Sequence, residues 1–144
     1  MIKAGSTRNT VGFSALVVDD DIDMARLIEA LLRDMGAMSV DRAKNGKQGI
    51  GKLRKHINKY DLIVSNWEMP EVNGLELLLE VRKYRPDLPF LMLTVRSNSD
   101  EILAAKNAGV TAYISKPFTP HDLQKKILTV MRQDVATQEF FLIC

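Results

Sequence analysis

A single doubly wound α/β domain, with five strands and five helices around a parallel sheet, is predicted by three features of the sequence. Five short apolar runs alternate with five stretches in which apolar residues recur at helical spacing. The runs are continuous rather than alternating, as expected of strands buried on both faces. The connections between them are short, and strand–helix alternation of this kind implies a parallel sheet covered by helices on both sides. A chain of 144 residues suits one such domain.

After a polar lead, ALVVD (15–19) forms the first strand and runs into Asp19, Asp20 and Asp21. Met24, Leu27, Ile28, Leu31, Leu32 and Met35 then recur at helical spacing, with Gly36 as the C-cap. MSVDRA (38–43) is a weaker second strand, punctuated by the turn signal Asn45-Gly46. Ile50, Leu53 and Ile57 mark a helix whose other face is basic. DLIVSN (61–66) is the third strand and delivers one polar side chain, Asn66, to its tip. Past Pro70 and Asn73-Gly74, residues Leu75, Leu78, Leu79 and Val81 form the next helical stripe, closed before Pro86. LPFLMLT (88–94) is the fourth strand. SNSDEILAAKNAG (97–109) combines an N-cap cluster, a small-residue helix and a closing Gly109. TAYIS (111–115) is the fifth strand, ended by Lys116-Pro117. The last helix starts at Thr119 or Pro120 and carries Leu123, Ile127, Val130 and Met131 on one face. Residues 1–13 read as an N-terminal extension, 14–133 as the domain and 134–144 as a C-terminal tail.

Composition narrows the function. With 46% apolar and 26% charged residues the chain has the balance of a globular protein. A formal charge of +2 gives no argument for direct nucleic-acid binding or for an anionic membrane surface. No apolar run approaches the ~20 residues a membrane helix needs, so no membrane insertion is expected. The N-terminus has no apolar stretch of the secretory kind. The single cysteine, Cys144, excludes an intrachain disulfide and fits a reducing compartment, so a cytoplasmic location is expected. His56 and His121 lack ligand spacing. NGKQGIG (45–51) lacks the strand-then-loop context of a phosphate loop. The basic helix 47–56 reads as a solvated face.

In an open parallel sheet, function gathers outside the carboxyl ends of the strands. The residues there are Asp19, Asp20 and Asp21 after the first strand, Asn66 after the third, Thr94 after the fourth and Lys116 after the fifth. Taken singly, each has an ordinary structural role: acids cap helices, a threonine ends a strand, a lysine is solvated. Taken together, acids beside a hydroxyl and a lysine suggest a hard cation and an anionic oxygen group. Mg²⁺ favours carboxylate, carbonyl and water ligands while meeting a phosphate. Lys116 suits a phosphate oxygen as a point charge, and Thr94 can add a hydrogen bond.

Four blocks carry a resemblance: LVVDDD, VSNWEMPEVNG, LTVRS and YISKPF, in order and with matching gaps. They resemble the signature blocks of the response-regulator receiver family of two-component signalling, most closely its stand-alone chemotaxis type, over roughly residues 14–132. The resemblance implies a flavodoxin-like strand order 2-1-3-4-5. It implies Asp20 as the direct carboxylate of a Mg²⁺ site, Asp19 as its partner largely through water, and the backbone carbonyl of Glu68 as a further ligand. It makes Thr94 and Lys116 the residues that meet the phosphoryl group and Tyr113 the aromatic rotamer switch. Lys116-Pro117 falls where the family has a cis peptide. The implied partners are a histidine kinase or phosphotransfer protein and a downstream target met through residues 98–131. No enzymatic activity is expected of the chain itself.

Asn66 departs from that pattern, because the family's phospho-acceptor is an aspartate at the end of the third strand. An amide oxygen is neutral and far less nucleophilic than a carboxylate, and it removes one negative charge from the cation site. Loss of the usual phosphorylation and weak Mg²⁺ binding are therefore expected, with Lys116 leaning toward Asp19 or Asp20 instead and Tyr113 turned outward. The preferred reading is a receiver whose acceptor has been replaced and whose pocket is otherwise retained. The alternatives are a natural phosphorylation-independent interaction module and, less well supported, a Mg²⁺-dependent phosphotransferase using Asp19.

Overall fold

Each continuous apolar run forms a strand because both of its faces are covered. A computed structural model describes residues 12–95 and 98–132; the tail 134–144 and nearly all of the N-terminal extension lie outside them. The strands are β1 Ser14–Val18, β2 Ser39–Ala43, β3 Leu62–Asn66, β4 Phe90–Thr94 and β5 Ala112–Ser115. All pair in parallel, in the order β2-β1-β3-β4-β5. The connecting helices are α1 Ile22–Asp34, α2 Gly46–Lys55, α3 Gly74–Tyr84, α4 Ser99–Asn107 and α5 Pro120–Met131. Both the architecture and the strand order are those the sequence and its resemblance imply. No helix among the described residues is long and apolar enough to cross a membrane.

Alternation along the strands sorts the core into two layers. Ala15, Val17, Val64, Leu91, Leu93 and Ile114 face α1 and α5, packing on Ile28, Leu32, Leu123 and Ile127. Leu16, Val18, Ile63, Phe90 and Met92 face the other way, onto Leu53, Leu77, Leu78 and Val81 of α2 and α3. Phe13 is also buried in the first layer. Boundaries differ from the sequence reading by a residue or two. The first strand stops at Val18, which leaves Asp19 beyond the ladder. The fourth begins at Phe90, because Pro89 has no N–H to donate and contributes only its carbonyl, to Ile63 N at 2.9 Å.

Asn45-Gly46 and Asn73-Gly74 are helix starts rather than free turns. Asn45 caps α2 by accepting from Gln48 N, and Asn73 caps α3 in a reciprocal box with Glu76. Gly74 has a second role. Its N–H donates to the Trp67 carbonyl at 2.8 Å, and a Cβ there would lie 2.5 Å from the Asn66 carbonyl oxygen. The start of α3 is thus pressed against the tip of β3. At the other end of α3, Arg82 Nε donates to the Gly109 carbonyl at 2.8 Å and Arg82 Nη1 to the Arg85 carbonyl at 2.9 Å. Burial lowers the pKa of this guanidinium to about 10, so it stays charged at neutral pH.

The two kinds of glycine predict opposite effects from one substitution. Gly74→Ala should destabilise by about 1–3 kcal/mol through overpacking. Gly51 lies in α2, exposed, with nothing within 4 Å of an added Cβ. Gly51→Ala should stabilise by up to about 1 kcal/mol from helix propensity alone. Urea midpoints at unchanged slope measure both, and a shift of the same sign would contradict this packing.

Candidate functional site

The topology brings the expected residues to one edge. β1 and β3 are neighbours from which the chain leaves in opposite directions, and the crevice at that switch point collects their ends. Asp19 and Asn66 are buried there, at 2% and 6% exposure, while Asp20 is exposed. Asp21 serves as the N-cap of α1, accepting from Asp23 N and Met24 N. The cleft beside the two acids is bounded by Ile22, Ala25, Ala43, Lys44 and Gln48.

Asn66 is the centre of the polar network. Its Nδ2 donates to the Glu68 carbonyl at 2.8 Å and to Asp20 Oδ1 at 3.3 Å. Its Oδ1 accepts from Lys116 Nζ at 2.8 Å. The partners dictate the orientation of the amide: two acceptors face the nitrogen, and a pure donor faces the oxygen. Lys116 therefore does not lean on Asp19 or Asp20, as the sequence suggested. An amide oxygen is still a good acceptor, and it stands at the tip of β3, one strand nearer to β5 than the acids that follow β1.

Asp19 is positioned by the backbone of Asp21, whose N–H donates to Oδ1 at 2.9 Å. Its Oδ2 is buried with no hydrogen-bond partner among the described residues. Burial raises the pKa of this carboxyl, against the lowering effects of the Asp21 hydrogen bond and the Lys116 charge. Among the described residues, no group of three or more His, Cys, Asp and Glu is arranged to hold a metal. The position beside Asp19 and Asp20 is filled by Asn66.

Thr94 and Tyr113 lie on the neighbouring strands. Thr94 is fully buried at the end of β4, and its carbonyl accepts from Lys116 N at 2.8 Å. Tyr113 pairs with Met92 across β4 and β5, so Thr94 and Tyr113 are diagonal neighbours on one face of the sheet. Tyr113 is half-buried against the core layer of α2 and α3 rather than turned wholly outward. The Lys116-Pro117 peptide is cis, as the resemblance implied.

The loop after β3 holds what sequence reasoning missed. Glu71 adopts φ +66, and Val72 N donates to the Pro70 carbonyl at 2.8 Å, a three-residue turn. That turn reverses the chain so that Gly74 meets Trp67 and the Glu68 carbonyl faces Asn66. Pro70 and Asn73-Gly74 signalled a loop, but nothing in the residue types marked Glu71 for positive φ.

Comparison with known proteins agrees with this geometry. The family profile of the response regulator receiver domain matches residues 15–128. The chain is 40% identical over 114 residues to the chemotaxis protein CheY of Pseudomonas aeruginosa, spanning 78% of this chain and 90% of that protein. It is 39% identical over 118 residues to a CheY homolog of Campylobacter jejuni, spanning 81% and 90%. Among solved structures, chemotaxis protein CheY4 of Vibrio cholerae superposes with a TM-score of 0.75 at 30% identity, over 83% of this chain and 99% of that one.

The buried Asp19 carboxyl gives a pH signature. Its folded-state pKa lies above the ordinary 3.8, so the unfolded chain loses this proton first as pH rises. Stability is then lost through the window between the two pKa values and stays reduced above it. Asp19→Asn should therefore raise the urea midpoint at neutral pH. The gain should shrink as pH falls through that window and vanish below it. A gain that persists in acid would mean the burial of charge is not its source.

Proposed function

Because the chain belongs to the response-regulator receiver family, we propose that it is a receiver that signals through protein contacts without accepting phosphate by the usual route. The observation that carries this reading is the set of three hydrogen bonds on Asn66. Its nitrogen lies between the Asp20 carboxylate and the Glu68 carbonyl, and its oxygen lies on Lys116. A carboxylate at that position would be a nucleophile, whereas a neutral amide is held as a structural crosslink.

In this reading Asp20, the Glu68 carbonyl and Asp19 would hold Mg²⁺. The orphaned buried Asp19 Oδ2 and the exposed Asp20 carboxylate fit a hard cation. When bound, the ion supplies neutralisation of phosphoryl oxygens. Against that fit, Asn66 Nδ2 already satisfies two of the oxygens, so a cation must displace a donor and meets one negative charge fewer. Mg²⁺ binding is accordingly weak. Thr94 and Lys116 are the residues that would meet a phosphoryl group, and Tyr113 is the switch residue. The upstream partner is a histidine kinase or phosphotransfer protein. The downstream partner is a protein met through residues 98–131.

Trp67, next to Asn66, reports the site. Titrating Mg²⁺ against its fluorescence should give clearly tighter binding for Asn66→Asp, and equal affinity would sink the metal assignment. Incubation with acetyl phosphate and Mg²⁺ should leave the intact mass of this chain unchanged, while Asn66→Asp gains one base-labile phosphoryl group. Ready phosphorylation of the unmodified chain on an aspartate would refute the reading. Adding beryllofluoride to Asn66→Asp should move amide signals at residues 94–118; the same shifted spectrum in the parent chain would mark it as constitutively active.

A further inference from the structure

We propose that the outer face of α2 is a docking surface for an acidic helix of a partner protein, a surface separate from the phosphoryl pocket and from residues 98–131. The first observation is charge segregation. Residues 42–60 hold seven of the chain's 20 Lys and Arg and no Asp or Glu, which leaves 13 Lys and Arg against 18 Asp and Glu elsewhere. The small net charge thus conceals a strongly polarised molecule.

Internal pairing does not absorb these cations. Arg42 pairs with Glu29, Arg54 with Glu80 and Lys59 with Asp41. Lys44, Lys47 and Lys55 are exposed, with no acidic side chain within 4.0 Å among the described residues. The helix dipole accounts for Lys55, in the last turn of α2. It opposes Lys44 and Lys47, which stand at the N-terminal end of a helix whose first turn has no acid. These two lysines sit where the fold itself disfavours them.

The second observation is Gly51, midway along the same ridge. Lys47, Gly51 and Lys55 follow at i, i+4 and i+8 and so share one face of the helix. Gly51 is exposed, touches nothing that a Cβ would meet, and lacks the positive φ that would require glycine. A helix-weakening residue with no packing role leaves bare backbone between two lysines about 12 Å apart. A second helix crossing there can approach closely, with acidic side chains two turns apart meeting Lys47 and Lys55. Exposed Tyr84, whose ring lies 6.0 Å from the Arg54 guanidinium, offers an apolar edge beside the ridge. One short basic helix on an otherwise acidic molecule suits a compact acidic segment better than an extended polyanion, whose remaining charge would meet the acids around it.

The test uses the full chain and a labelled alanine-rich helical peptide of ~20 residues carrying glutamate two turns apart. Binding should move backbone amide signals across residues 44–59 and should be absent for the glutamine version of the peptide. Lys47→Glu with Lys55→Glu should weaken binding by at least about tenfold, and Gly51→Leu, at unchanged charge, by about fivefold. Circular dichroism and Gly51→Ala control for folding. Parent-like binding by Gly51→Leu would reduce the ridge to long-range attraction and overturn the proposal. So would tighter binding of duplex DNA or phosphatidylserine vesicles than of the peptide. Neither result bears on Asn66 or on the receiver reading.

Discussion

A parallel sheet covered on both faces has no room for polar side chains along its strands, and this constraint organises the whole molecule. Three of the five strands, β1, β3 and β4, are buried almost throughout. The polar groups that remain inside are satisfied locally: Ser65 donates to the Asn66 carbonyl, and Thr111 accepts from Phe90 N. In these three strands every other polar side chain stands at an end. Because all five strands run the same way, those ends fall along one edge. The pocket of Asp19, Asp20, Asn66, Thr94 and Lys116 is thus a geometric product of the packing of Leu16, Ile63 and Leu91, as much as of its own chemistry.

The same constraint explains what could be read from residues alone. Continuous apolar runs such as LIVS and FLML have few alternatives, and the Gly36 and Gly109 caps bound the helices by positive φ. The convergence of Asp20, Asn66 and Lys116 follows once the runs are strands. What was illegible depends on contacts between segments far apart in sequence. Lys116 had three oxygen-bearing side chains within prospective reach, Asp19, Asp20 and Asn66, and its choice of Asn66 depends on side-chain placement. Gly74 read as half of a turn signal, yet its lack of a side chain is required by the carbonyl of Asn66 and the sulfur of Met92. Glu71 in the left-handed region carried no residue signal at all.

Replacing a carboxylate by an amide at the centre of such a site does more than remove a nucleophile. A carboxylate between Asp19 and Asp20 would be one of three like charges, held together only with help from a cation and Lys116. The amide replaces that repulsion by hydrogen bonds: its N–H groups serve the Asp20 carboxylate and the Glu68 carbonyl, and its oxygen serves the lysine. Asp19 keeps an unsatisfied oxygen and a raised pKa. The hydrogen bonding around Asn66 is nearly self-sufficient.

The bond from Arg82 to the carbonyl of Gly109 has a mechanical consequence. Each of the other helices buries three or more side chains or glycines, whereas α4 buries only Ala105. It is the helix whose release exposes the least apolar surface. At its N-terminal end the side chain of Asn98 caps it. At its C-terminal end a half-buried cation on α3, Arg82, grips the turn that follows it. The helix thus resembles a lever with its fulcrum at Gly109 and its far arm at Asn98, a few residues past Thr94.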